Sequence, residues 1–96
     1  MKLAKLQKLM RDLYYHRDEE RGPDKTFLWL VSEIGELATS IRKEDNPEQV
    51  AEEFADVLAW TASLANLLNI DLEQAITSKY PGKCPKCNSI PCRCVF

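Results

Sequence analysis

The chain has 96 residues and a formal net charge of −2, so it fits one small domain and carries no global charge to draw it onto nucleic acid or an acidic membrane. No apolar run approaches the ~20 residues of a membrane span, and the basic start (Lys2, Lys5, Lys8) lacks the apolar centre of a signal peptide. A cytoplasmic protein without a membrane partner is expected, with a core small enough that self-association should supplement it.

Leu3, Leu6, Met10 and Leu13 recur at three- and four-residue spacing and predict an amphipathic helix from about Lys2 to Arg21, stopped by Gly22-Pro23. Lys2, Lys5, Lys8 and Arg11 read as a solvated face, and the lone His16, with no Cys or His nearby, as a surface residue. Asp24 is placed to cap a second helix, whose apolar stripe is Phe27, Leu30, Ile34, Leu37 and Ile41. Gly35 within it costs about 1 kcal/mol of helix propensity relative to Ala, which suits a helix or ligand in close approach, or relief of crowding.

Asn46-Pro47 with Gln49 has the form of an N-cap, a first-turn proline and a third-position partner, so a third helix starts here after a tight turn. It is predicted to run to about Asn69, with Val50, Phe54, Val57, Leu58, Thr61, Leu64 and Leu68 as its core stripe. Asp71 caps a short fourth helix, Leu72 to about Lys79, broken by Tyr80-Pro81-Gly82. The expected fold is all-α: an antiparallel bundle of about four helices over residues 1–81, with a Cys-rich tail over residues 82–96. In that tail Cys84, Cys87, Cys92 and Cys94 fall within eleven residues. In a reducing compartment this pattern reads as a structural Cys₄ zinc site rather than a disulfide staple.

The chemistry lies in two acidic motifs, Glu33-Ile-Gly-Glu36 and Glu53-Phe-Ala-Asp56. Acids three apart are neighbours on one helical face, and a tight turn between the helices sets the two pairs in opposition. From Glu44 to Ile70 there is no basic residue to neutralise them. Clustered carboxylates are stable only with protons or a cation, and oxygen-only ligands select a hard ion, Mg²⁺ or Mn²⁺. Trp60, one turn beyond Asp56, is placed to pack, to wall off the metal or to stack on a base.

The run from Ser32-Glu33-Ile-Gly-Glu36-Leu through Glu52-Glu53-Phe-Ala-Asp56-Val-Leu-Ala-Trp60 to Asn66 and Ile70-Asp71-Leu-Glu-Gln-Ala resembles the MazG-type nucleoside triphosphate pyrophosphohydrolases of the all-α NTPase superfamily. The resemblance spans about Asp24 to Pro81. It implies Mg²⁺-dependent cleavage of a nucleoside triphosphate into monophosphate and pyrophosphate, often as housecleaning of the nucleotide pool, by a homodimer or homotetramer. Carried over by position, it makes Glu33, Glu36, Glu53 and Asp56 metal ligands, and gives Glu52, beside Glu53, a part in orienting or deprotonating the attacking water. Lys79 and, less directly, Lys25 become phosphate contacts. The sequence departs from the pattern at Ser32, where many members carry another Glu, and in its short fourth helix. The competing readings are an oligomeric helical module that presents a zinc knuckle to a protein or nucleic-acid partner, and a purely structural helical protein. With a nucleotide as substrate, nucleic acid is not an expected partner.

Overall fold

The computed structural model describes residues 1–95, and Phe96, the last residue of the predicted tail, lies outside them. Four helices are seen among the described residues: α1 (Leu3–Arg21), α2 (Pro23–Arg42), α3 (Pro47–Leu67) and α4 (Leu72–Lys79). The all-α expectation holds. The long α3 is the centre of the bundle: it packs along both α2 and α1, whereas α1 and α2 touch little and the short α4 rests on α1.

Local chemistry fixes the joints. Asn46 accepts a hydrogen bond from the Gln49 N–H at 2.9 Å, and Asp71 accepts one from the Gln74 N–H at 3.1 Å, as capping side chains do. Ser40 donates to Asp45 at 2.9 Å across the α2–α3 turn, and Glu44 takes the left-handed conformation there, φ 56°. One cap differs from expectation. Asp24 lies inside the first turn of α2, and the residue before that helix is Gly22 at φ 86°, with Pro23 in the first turn. Gly22 thus ends α1 and admits α2 in one residue, a conformation open to glycine without a Cβ penalty.

Where α1 meets the end of α3, a polar clasp replaces an apolar one. The Gln7 amide donates to Asn66 Oδ1 at 3.1 Å and to the Ile70 carbonyl at 2.8 Å, while its oxygen accepts from the Leu72 N–H at 2.8 Å. Asn66 returns a bond to the Gln7 carbonyl at 2.9 Å. Both side chains are buried, so the network is satisfied and ties three helices at one point.

The core departs from the predicted stripes. The buried apolar residues are Met10, Leu30, Ala62 and Ala65, with Ser63 and Asn66 beside them. Small side chains on α3 let α1 come close, and their pattern is masked in the sequence by larger neighbours. By contrast Phe27, Ile34, Ile41, Phe54, Leu58 and Leu68 remain about half exposed. Gly35 has nothing within 4 Å of where a Cβ would stand, so no neighbour in this chain demands a glycine there. The chain exposes 7398 Å², against about 5,600 Å² for a compact monomer of its mass. Its radius of gyration is 15.8 Å, where about 12.5 Å is usual for this length. No helix among those described is long and apolar enough to cross a membrane.

Candidate active site

The α2–α3 hairpin is antiparallel, so Glu33 on α2 faces Glu53 and Asp56 on α3. Carboxylate oxygens of these three lie within 4.8 Å of one another. Glu33 and Glu53 are half-buried, and each holds one oxygen, Oε2, that is shut from solvent without any hydrogen-bond partner. Buried acceptors in native structures are nearly always paired, and these two orphans in one cluster have room for a proton or a cation between them. Both acids titrate above the ordinary carboxylate range. For Glu33, burial is the main cause, followed by the neighbouring Glu36 and Asp56 carboxylates. For Glu53, burial again leads, with Glu36, Asp56 and Glu52 adding repulsion. This donor set, all oxygen and all anionic, fits Mg²⁺ or Mn²⁺.

Glu36, predicted as the fourth ligand, stands at the exposed rim. It is close enough to raise both buried acids but lies outside the tight group of three. Glu52 is exposed on the turn that carries Glu53. The cluster is flanked by two clefts. One, of about 280 Å³, runs between α1 and α3 and is lined by Tyr14, Arg17, Asp18, Arg21, Asp56 and Trp60 among others. The other, of about 480 Å³ and more open, includes Ser32, Gly35, Glu36, Lys43 and Glu53.

Trp60 sits where its position relative to Asp56 implies, and its ring is engaged: it stacks on Trp29 with centroids 5.8 Å apart and planes 12° from parallel, and the Arg21 guanidinium lies 4.8 Å from its centroid. Arg21 also pairs with Asp18 at 2.9 Å, and Asp18 is 2% exposed. Lys25 and Lys79 are exposed and line neither cleft; Lys79 lies over the Tyr80 ring at 5.7 Å. The cations that share a cleft with the carboxylates are instead Arg17, Arg21 and Lys43, which sequence reasoning did not single out. Arg21 precedes the Gly22-Pro23 break and Lys43 the α2–α3 turn, and only the folded hairpin and its packing on α1 bring them to the site.

Residues 21–88 match the family model described as the MazG nucleotide pyrophosphohydrolase domain. The chain belongs to the MazG family. A relative named dATP/dGTP diphosphohydrolase, from Cyanophage S-2L, is 36% identical over 77 residues, which cover 80% of this chain and 69% of the relative. The chain is accordingly a nucleoside triphosphate pyrophosphohydrolase, an enzyme rather than a structural or purely binding module. Within the MazG match lie the whole acidic cluster, both tryptophans, Lys43 and the first two cysteines.

Proposed function

We propose that the Glu33, Glu53 and Asp56 cluster, completed by Glu36, binds Mg²⁺ and is the centre at which a nucleoside triphosphate is cut between its α and β phosphates. The observation that carries this reading is the pair of buried, partnerless oxygens on Glu33 and Glu53, facing each other across the hairpin. Bound there, Mg²⁺ supplies charge neutralisation for the phosphates and acidifies water for attack on phosphorus.

The protein's own residues do the rest. Glu33 and Glu53, fixed on two packed helices, hold the ligand oxygens in place without rearrangement. Glu52, exposed next to Glu53, is the acid to which this reading gives the proton of the attacking water. Arg17, Arg21 and Lys43 bring positive charge to the clefts on either side, where triphosphate oxygens and leaving pyrophosphate would gather. Lys25 and Lys79 are more distant candidates for the same task, and Trp60, with Trp29, forms an aromatic wall for the nucleoside. The enzyme works as a homodimer or homotetramer in the cytoplasm, its exposed apolar hairpin face covered by further copies. Its physiological task is housecleaning, removal of nucleotides that should not be incorporated. The relative's name makes dATP and dGTP the first substrates to try.

Product analysis tests the reading. Incubated with dATP, dGTP and a panel of ribo- and deoxyribonucleotides, the intact protein should release pyrophosphate and the matching monophosphate with Mg²⁺, and nothing in chelator. Release of inorganic phosphate with a diphosphate left behind would place the cut elsewhere and overturn it.

A further inference from the structure

Past Lys79 the described chain has neither helix nor strand, and none of its residues is fully buried. The half-buried positions between Tyr80 and Val95 are Cys84, Cys87, Ser89 and Cys94. The inside of this segment is therefore made of thiols. It has no apolar core to compensate the chain entropy of its turns.

Yet the turns are specific. Asn88 adopts the left-handed conformation, φ 61°, just after Cys87, and its N–H returns to the Cys84 carbonyl at 2.8 Å. The Cys84 N–H bonds the Ser89 carbonyl at 3.1 Å. Two further backbone N–H groups point at sulfur: Arg93 to Cys87 Sγ and Cys94 to Cys92 Sγ, each at 3.3 Å. All four Sγ atoms lie within 4.8 Å of one another, and Cys84 Sγ stands 3.7 Å from Cys94 Sγ. A tetrahedron with Zn–S bonds of about 2.3 Å has S–S edges of about 3.8 Å. Disulfides join sulfurs in pairs at about 2.05 Å, whereas here four free thiols converge on one point.

We infer that Cys84, Cys87, Cys92 and Cys94 bind a single Zn²⁺, and that this ion is the core around which residues 82–95 fold. Four thiolates around Zn²⁺ carry a net charge of −2, and Lys83, Lys86 and Arg93 in the same loops offset it. The N–H groups aimed at sulfur orient the ligands and spread their charge. Tetrahedral thiolate sites accept zinc or iron; with Cys92 exposed at the surface, the redox-inert ion is the one that persists. The site is separate from the carboxylate cluster in chemistry, soft sulfur against hard oxygen, so the two centres hold different metals in one small chain.

Elemental analysis of the intact 96-residue chain, purified under reducing conditions without chelator, tests this. One zinc per chain is expected. Reconstitution with Co²⁺ should give the thiolate-to-cobalt charge-transfer and strong ligand-field bands of a tetrahedral sulfur site. Cys92→Ser should lower metal retention at least about tenfold while the helical circular dichroism stays, because the tail lies outside the bundle. Glu33→Gln should keep its zinc. The inference is overturned by zinc-free protein with four freely titrating thiols, by two disulfides in the mass spectrum, by iron in place of zinc, or by zinc lost from the Glu33 variant rather than the Cys92 variant.

Discussion

Burial and the neighbouring carboxylates penalise the charged forms of Glu33 and Glu53, so each gains from binding a proton. Their raised pKa values mean that the folded chain binds protons more tightly than the unfolded chain above the ordinary carboxylate value of 4.5. Stability without metal therefore falls as pH rises through the window between that value and the raised ones. Mg²⁺ competes with those protons, so the stabilisation it confers should grow with pH across the same window. Thermal melts in chelator and in Mg²⁺ over a pH series check both signs; parallel curves would mean that the cluster does not hold the ion. A second residue-scale test concerns the α1–α2 joint. Asp18 is buried and paired with Arg21, whose guanidinium is packed on Trp60. Asp18→Ala should cost about 3 kcal/mol, the usual penalty for stranding one partner of a buried pair, read as a lowered denaturation midpoint.

At the scale of elements, what could be read from the sequence followed from local chemistry. The caps at Asn46 and Asp71, the break at Gly22-Pro23 and the hairpin that opposes the acidic motifs all rest on signals within a few residues, and the structure has them. Asn46→Ala should accordingly cost about 1 kcal/mol. Less legible was which face of each helix finds a partner. Periodicity marks Phe54 and Leu58 as apolar but cannot say whether the partner belongs to the same chain, and both are exposed here. Conversely, Ala62, Ser63 and Asn66 look unremarkable in a list of residues, and they are buried because α1 presses against them. The Gln7–Asn66 clasp joins positions 59 residues apart, beyond any local pattern. The same limit hid Arg21 and Lys43, cations that reach the site through tertiary packing alone.

The whole molecule is open for its length and leaves large apolar side chains of the α2–α3 hairpin uncovered. Its accessible surface exceeds that of a compact monomer by about 1,800 Å², comparable to what a stable interface removes. Sedimentation analysis should find a dimer or larger, and Ile34→Lys, which sets a charge on the exposed apolar face, should shift it toward monomer. Gly35→Ala separates the two roles left for that glycine: in a monomer it should stabilise α2 by about 1 kcal/mol, whereas a copy packed closely on α2 would be pushed away and the assembly weakened. The cluster itself is judged most directly by one measurement, pyrophosphate release by Glu53→Gln beside the parent protein over a series of Mg²⁺ concentrations. Loss of turnover by at least about a hundredfold at every concentration, the scale seen when a charge-stabilising group is removed, with helicity unchanged, is the result expected of a metal-holding catalytic carboxylate. Parental rates with the same Mg²⁺ dependence would contradict it.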